Sequence, residues 1–454
     1  MDRNEFIARL FDRAGQKAGG DAGFAAEACY EAGSSFEVEV LNGEILRYEA
    51  SDSIGLGFRA LCGGKMGYAS TQILDEDAAD MLADGALENA AMIESDDEEF
   101  IFAGSGEYPE LALYNPALDK IDAARKIEMA KELERLTLAC DPRIVRVEGS
   151  MVFSESVERA LVNSKGLDVV LRRNLIGVYV GAIAQEGEKV NTGGKMFFTM
   201  DPSKIDLKKV AGDAAREALD GLQGAPVESG KYRVLLRNDV AGVMLGVFSG
   251  VFSAENAQRG LSRLKGREGE VIAAPCVTIM DDPHRPDSAA SAPFDGEGVA
   301  TRAKAVVEDG RLTTLLHNLK TARKQGVETT ANASRPGYAA PVGVAPTNFF
   351  FAPTDAGFDE MLAKVGDGLL ITELEGMHAG ANPITGDFSL AAKGFRVVGG
   401  RKADAVAQIT VAGNFYDLLN SIEAVGGDLE FRHPGASCFG SPSLLISSLS
   451  IAGR

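Results

Sequence analysis

The sequence has few of the residues from which zinc sites and disulfide frameworks are built. It contains only four histidines, and no two of them are three, four or five residues apart: His284, His317, His378 and His433. A helical zinc motif needs two ligands at such a spacing, so none is present. The five cysteines are odd in number and include no CxxC pair: Cys29, Cys62, Cys140, Cys276 and Cys438. They favour reduced thiols in a reducing compartment.

Long apolar segments are also lacking. The opening MDRNEFIARL has no apolar core of signal-peptide length, and no run reaches the length that spans a membrane. We therefore expect a cytoplasmic protein that does not bind a membrane.

Positive charge is scarce in the first quarter of the chain. Residues 1–110 contain 24 acidic and 7 basic side chains, which accounts for most of the net charge of −20. Such a field repels phosphate backbones, so direct binding to nucleic acid is not expected. The simpler interpretation is an acidic, solvated surface that keeps the protein soluble.

The order of apolar patterns predicts an α+β fold with two N-terminal helix/sheet units and a mainly antiparallel C-terminal domain. The first unit, 1–105, has helical spacing at both ends and four strand-like runs between them, with Asn42-Gly43 as a hairpin turn. The second unit, 110–224, repeats this layout, and the two units together are also interpretable as one N-terminal domain. The third region is 225–454. Elsewhere the glycine pairs Gly193-Gly194 and Gly399-Gly400 are interpreted as ordinary turns.

The C-terminal region begins with a strand and a helix, Asn238–Asn256, that is apolar on all sides and predicted to be fully buried. Gly242, Gly246 and Gly250 recur at every fourth position and form a stripe along which another backbone could approach closely. Each glycine costs about 0.8–1 kcal/mol relative to alanine in a helix, so close packing would have to compensate.

The residues around this helix resemble the TldD/PmbA family, also called modulator of DNA gyrase. The resemblance is carried by AGVMLG at Ala241, LKGREGE at Leu264 and TIMDDP at Thr278, and continues in GMHAGANPITGDFSLAAKGF at Gly376 and SPSLLISSLSIAG at Ser441. In the TldD branch of that family the helix carries the zinc-protease motif HExxxH. Here the corresponding positions are Gly246, Val247 and Val251, which cannot bind zinc or transfer a proton. The chain therefore resembles the PmbA (TldE) branch.

Three other segments contain candidate site residues. The loop GMHAGANPITGDFSL offers His378, Asn382, Thr385, Asp387 and Phe388 as candidates for the wall of a peptide channel, with an exposed strand edge for β-augmentation; the alternative is a hydrogen-bonded turn. Asp281, Asp282 and His284 resemble a metal cluster, but a capped turn is the simpler explanation. Cys438 with His433 could form a thiol nucleophile, although such a pair in one loop is more often incidental.

The resemblance implies a non-catalytic subunit of a heteromeric TldD–TldE-type zinc metallopeptidase that processes extended peptides, such as microcin precursors or an antitoxin. Zinc is then expected only in the TldD-type partner, with no metal or other cofactor in this chain and no peptidase activity of its own. The alternative from another class is a homodimeric peptide-binding or scaffold protein without a protease role. A third hypothesis is an independent hydrolase that uses residues not singled out above.

Overall fold

The N-terminal half of the molecule is built around one six-stranded antiparallel sheet in the order β3-β2-β1-β4-β5-β6. The computed structural model describes residues 2–94, 97–432 and 434–454. The elements of this half are α1 (Arg3–Lys17), β1 (Ala25–Leu41), β2 (Glu44–Cys62), β3 (Lys65–Thr71), α2 (Glu76–Ala91), α3 (Ala123–Leu138), β4 (Ile144–Asn163), β5 (Asp168–Glu186), β6 (Lys189–Thr199) and α4 (Leu207–Asp220). Because β1 pairs with β4, the two predicted units share a single sheet.

The strands are longer and fewer than the sequence predicts. The first unit has three strands instead of four, because β2 continues through Ser51–Ser53 while its backbone stays paired with β1. Asn42 and Gly43 have φ of 55° and 74°, as the predicted hairpin turn requires.

Gly193 and Gly194 lie inside β6, so the prediction of a turn there is wrong. A Cβ on Gly193 would lie 2.3 Å from the Ala218 backbone nitrogen, so this position lets α4 pack closely on the strand. Gly399 and Gly400 do form a turn, with φ of 55° and 76°.

Two helix pairs cover the N-terminal sheet and form separate cores. Helices α1 and α2 pack on β1 and β2 through residues such as Phe6, Leu10 and Phe58. Helices α3 and α4 pack on the other half of the sheet around Leu133, Val178 and Val210.

The C-terminal half contains two further six-stranded sheets with a helix between them. Its helices are α5 (Asn238–Phe248), α6 (Ala254–Gln258), α7 (Leu319–Gln325), α8 (Phe358–Val365), α9 (Met377–Gly380) and α10 (Phe415–Asn420). Its strands are β7 (Gly230–Leu236), β8 (Ile279–Asp281), β9 (Lys304–Glu308), β10 (Arg311–Leu312), β11 (Ala333–Ser334), β12 (Gly343–Val344), β13 (Asn348–Phe351), β14 (Gly368–Glu375), β15 (Asp387–Val398), β16 (Arg401–Asn414), β17 (Ile422–Val425), β18 (Glu430–Phe431), β19 (Cys438–Ser441) and β20 (Leu444–Ala452).

One of these sheets closes on itself. Its order is β16-β15-β14-β7-β20-β17, and a further pairing of β16 with β20 completes a ring of five strands. The other sheet has the order β10-β9-β8-β13-β19-β18. The largest core lies between them and includes α5, whose Phe248 stacks on Phe415 with ring centroids 4.7 Å apart. The α+β fold with mainly antiparallel sheets is thus confirmed.

The two halves meet through a tightly packed loop and a buried ion cluster. The Tyr338 ring lies over Gly55, where a Cβ would be 2.2 Å from the ring. Beside it, Glu27 accepts hydrogen bonds from Arg59 at 2.8 Å and from Arg335, and all three side chains are buried. In the described ranges no helix is both long and apolar enough to cross a membrane.

Candidate functional site

Helix α5, which resembles the motif helix, is shorter than the sequence predicts. It ends at Phe248 and is followed by a 3₁₀ turn, Ser249–Phe252, before α6 begins. The three motif positions are therefore separated: Gly246 and Val247 lie on α5, whereas Val251 lies on the turn and is fully buried.

The prediction that this helix is buried on every side is also wrong. Val243, Gly246 and Val247 are only partly buried and form one wall of a cavity of about 470 Å³, here called the α5 cleft. The other residues of the cleft come from the start of α5 and from the segment around β18 and β19: Asp239, Gly242, Glu430, Arg432, Pro434, Ser437 and Phe439. The exposed lining is mostly apolar.

Strand β19 is the backbone that lies against the glycine stripe. A Cβ on Gly242 would be 3.5 Å from the Ser441 nitrogen, and a Cβ on Gly246 would be 3.0 Å from the Phe439 ring. Gly250 lies beyond the helix, where its carbonyl accepts a hydrogen bond from Asn256 Nδ2 at 2.9 Å. Strand β19 of this chain therefore packs against the stripe at Gly242 and Gly246.

A buried ion network fixes the rim of the α5 cleft. Arg237 Nε and Nη2 donate to Asp239 Oδ1 and Oδ2 at 2.6 and 2.7 Å, and Arg432 Nη1 lies 2.9 Å from Asp239 Oδ2. Burial by itself would raise the pKa of Asp239, but the hydrogen bonds and charge of Arg237, with Arg432, lower it below the ordinary value. The Asp239 carboxylate is therefore held ionised between two arginines.

The described residues of the α5 cleft do not fit a zinc ion. Gly246 and Val247 carry no side-chain donor atom, and Val251 is buried outside the cleft. The carboxylate of Asp239 is occupied by Arg237 and Arg432, and that of Glu430 pairs with Lys195 at 2.7 Å. Within residues 2–94, 97–432 and 434–454, no three His, Cys, Asp or Glu side chains are grouped so that they could hold a metal ion.

The loop between α9 and β15 is folded by its own polar side chains. Asn382 Oδ1 accepts from the backbone nitrogens of Ile384 and Thr385 at 3.0 and 3.2 Å, and Asp387 Oδ1 accepts from Asn414 Nδ2 at 2.8 Å. Hydrogen bonds from Asn414 and Thr385 lower the pKa of Asp387. His378, Asn382 and Asp387 are exposed.

Two features of this loop differ from the sequence prediction. Phe388 is only 4% exposed and packs near Phe248 in the core, because it is on the inward face of β15. The strand edge expected to be free is occupied: residues 387–390 pair with β16 on one side, and Ala381 bridges to Phe388 on the other. A peptide could not add to this edge without displacing Ala381.

The remaining candidates are the metal cluster around Asp281 and the thiol pair of Cys438 with His433. Asp281 is fully buried and accepts from the Thr347 nitrogen at 2.7 Å and from Lys304 Nζ at 2.8 Å, while Asp282 caps the turn by accepting from the His284 nitrogen at 3.0 Å. These two carboxylates thus serve different partners. Cys438 is buried in β19, and His433 lies outside the described residues.

Comparison with known proteins agrees with this fold along the whole chain. Three family models match: the PmbA/TldA metallopeptidase domain 1 over residues 26–90, its central domain over 116–222 and its C-terminal domain over 229–453. Metalloprotease PmbA of Escherichia coli O157:H7 is 30% identical, with 94% of this chain and 92% of that protein aligned. A PmbA homologue of Haemophilus influenzae is 28% identical over 95% of each chain.

Solved structures give the same result. A protein of Thermotoga maritima described as a candidate modulator of a DNA gyrase superposes with a TM-score of 0.90 at 35% identity, covering 99% of this chain and all of the other. TldE from Thermococcus kodakarensis, at 21% identity and a TM-score of 0.87 over 99% of this chain and all of that one, shares the fold. The fold is thus that of a family of metallopeptidases. The chain belongs to the PmbA/TldD family.

Proposed function

We propose that this chain is the subunit without metal ligands in a two-subunit zinc metallopeptidase of the TldD–TldE type. In that arrangement the metal-bearing subunit supplies the zinc, the water and the general base, and this chain forms part of the wall that holds an extended peptide. The observation that carries the proposal is the α5 cleft, because two of the three motif positions, Gly246 and Val247, line it and give it an apolar surface.

The shape and lining of the α5 cleft support a role in binding a peptide side chain. A volume of about 470 Å³ lies within the roughly 300–1,000 Å³ range typical of ligand pockets, which are mostly apolar with a few fixed polar groups. Val243, Val247 and Phe439 would contact an apolar side chain of the peptide. The ion pairs of Asp239 with Arg237 and Arg432 would hold the rim rigid, so that little ordering is required on binding.

The test is reconstitution with a metal-bearing paralogue, in which hydrolysis of an extended peptide is measured for this chain and for a Val247→Lys variant. The lysine fills the cleft with a charged side chain, so we expect a raised KM for peptides with a large apolar residue. The matched control is Val398→Lys, because Val398 is 52% exposed on a strand far from α5 in sequence.

Three outcomes would contradict the proposal: full activity of this chain without the paralogue, no effect of this chain on the paralogue's activity, or equal kinetics of the two lysine variants. No effect on the paralogue would favour the alternative of a peptide-binding scaffold. Circular dichroism of both variants checks that the fold is retained.

A further inference from the structure

A cavity of about 100 Å³, here called the Arg173 cavity, lies where the N-terminal sheet meets the C-terminal half. On β4 the side chains of Arg159 and Leu161 line it, and on β5 those of Leu171 and Arg173. Each pair is two residues apart, so all four share one face of the sheet. The C-terminal half contributes residues from 290–301, 331–336, 345–347 and Ala436. None of the described residues lines both this cavity and the α5 cleft.

Arg173 is a cation without a counter-ion of its own. Its Nη1 donates to the Ala289 carbonyl at 2.6 Å, and its buried Nε has no hydrogen-bond partner among the described residues. Glu31, one of the acidic side chains that attract it, is already paired with Arg159. Burial therefore lowers the pKa of Arg173 below the ordinary value, against the attraction of Glu155 and Glu31. Its guanidinium has lost water without gaining a carboxylate.

The free edge of Arg173 is the one that other arginines of this chain use to hold carboxylates. Arg237 donates from Nε and Nη2 to the two oxygens of Asp239, and Arg159 donates from the same two nitrogens to Glu31. The N–H groups on this edge are parallel and match the two oxygens of a carboxylate. At Arg173 no described residue occupies this edge, so it is available to a carboxylate from outside the chain.

The other walls of the cavity fit a short apolar group. Leu161, Leu171 and Phe294 are buried apolar side chains that line it. The buried Nε of Arg335, likewise unpaired within the described ranges, adds a second donor. An apolar cavity of about 150 Å³ holds benzene, so a cavity of about 100 Å³ admits a carboxylate with two or three carbons. A dianion such as phosphate is less suited, because it would meet these apolar walls and the carboxyl group of Asp295.

We propose that the Arg173 cavity binds a small monocarboxylate of the size of acetate or propionate, with its two oxygens on Nε and Nη2 of Arg173 and its apolar carbons against the surrounding side chains. Because both halves of the molecule line the cavity, the bound ligand links them. The site is additional to the proposed peptidase role and depends neither on the α5 cleft nor on a metal.

Neutral and charged ligands of one shape test the role of the charge. Propionate should bind the full-length chain, and propionamide should bind more weakly by on the order of tenfold, because it cannot pair with the guanidinium group. Inorganic phosphate should bind more weakly than propionate. The dissociation constants are measured by isothermal titration calorimetry, with chloride added to keep the ionic strength equal.

Variants test the position of the site. Arg173→Gln should weaken propionate binding by on the order of tenfold, and Arg173→Lys, which keeps the charge but not the pair of parallel N–H groups, should have an intermediate effect. The matched control is Arg172→Gln, because Arg172 lies on the opposite face of β5 with a 65% exposed side chain and should not affect binding. Ala292→Leu narrows the cavity and leaves both arginines in place, so it should also weaken binding.

A thermal readout follows from the same binding. A ligand that binds only the folded chain raises the melting temperature. Propionate should therefore raise it for wild type and Arg172→Gln more than for Arg173→Gln, and circular dichroism shows whether each variant is folded.

Equal affinities for propionate and propionamide, or for wild type and Arg173→Gln, overturn the proposal, because the cavity would then hold only water. Undetectable binding of propionate to wild type and tighter binding of phosphate than of propionate overturn it as well. If Arg173→Gln does not fold, unchanged binding by Ala292→Leu decides against the site. None of these measurements uses the paralogue, so their failure leaves the reconstitution test of the proposed function unaffected.

Discussion

Replacing Asp239 by alanine should destabilise the C-terminal half more than any comparable surface change. Asp239 is 8% exposed and pairs with Arg237 through both oxygens and with Arg432 through one. Its removal takes this acceptor from both arginines, while Arg237 keeps Glu217 and the Thr372 carbonyl as partners. Breaking a buried pair costs about 3–5 kcal/mol when a charge is left uncompensated, so we expect a loss near the lower end, about 3 kcal/mol.

The assay is urea denaturation of the variant beside wild type, followed by far-ultraviolet circular dichroism. The matched control is Glu360→Ala, which removes an exposed carboxylate whose partner, Lys364, is 2.8 Å away on the same helix. The control should change the free energy of unfolding by less than about 0.5 kcal/mol. A loss below about 1 kcal/mol for Asp239→Ala would refute the reasoning, because the arginines would then have found other partners.

The same pair predicts a dependence on pH. Because the folded-state pKa of Asp239 is lowered, its stabilising effect is present above the unfolded value of about 3.9 and is lost as the pH falls through the folded pKa. The difference in stability between wild type and Asp239→Ala should therefore shrink below about pH 4.

Three further changes test other parts of the structure. Gly55→Ala should lower the free energy of unfolding by about 1–3 kcal/mol, because its Cβ would overlap the Tyr338 ring. The loss should be clearly smaller in a Tyr338→Ala background. If the losses of the two single variants simply add in the double variant, overlap with Tyr338 is not the cause. Burial and a neighbouring carboxylate raise the pKa of Asp295 to about 7. Its contribution to stability therefore falls as the pH rises from about 4 towards 7. Asp295→Asn should reduce this dependence of the free energy of unfolding on pH, measured by urea denaturation at several pH values. His378→Ala or Asp387→Ala should slow peptide processing by the reconstituted complex without unfolding this chain. Unchanged kinetics in both variants would mean that the loop is a hydrogen-bonded turn and does not contact the peptide.

Local chemistry allowed several elements to be predicted closely from sequence. A two-residue hairpin turn requires positive φ, which Asn-Gly and Asp-Gly adopt readily. Asn42-Gly43 forms the predicted turn, and Asp309-Gly310 between β9 and β10 forms another of this kind. Apolar spacing bounded by polar or breaker residues predicts a helix over Phe358–Val365 and a strand over Asn348–Phe351, and these are the observed bounds of α8 and β13. The absence of zinc-binding side chains at the motif positions is likewise a matter of residue type alone.

Tertiary contacts determined what the sequence could not predict. Helix α5 stops at Phe248 because the following residues turn to place Phe252 against Phe349, 5.4 Å away between ring centroids. The alternation of apolar side chains puts Phe388 on a strand but does not say which face is buried. The α5 cleft joins Val243 and Val247 to residues around Phe439, so no local pattern in either segment indicates it.

Residues 44–54 of β2 illustrate the same limit, because all of them are exposed. Their mixture of apolar and charged residues is typical of a strand with one solvated face. In the part of the chain that the structure describes, residues 44–55 pair with β1 alone, because β3 ends at Thr71, opposite Leu56.

The most direct test of the central claim is elemental analysis of the purified chain combined with a peptidase assay before and after adding a metal-bearing paralogue. The account predicts no stoichiometric zinc in the isolated chain and no cleavage, with chelator-sensitive hydrolysis only after a subunit with an intact HExxxH motif is added. About one zinc per chain, with chelator-sensitive hydrolysis in the absence of any partner, would contradict it.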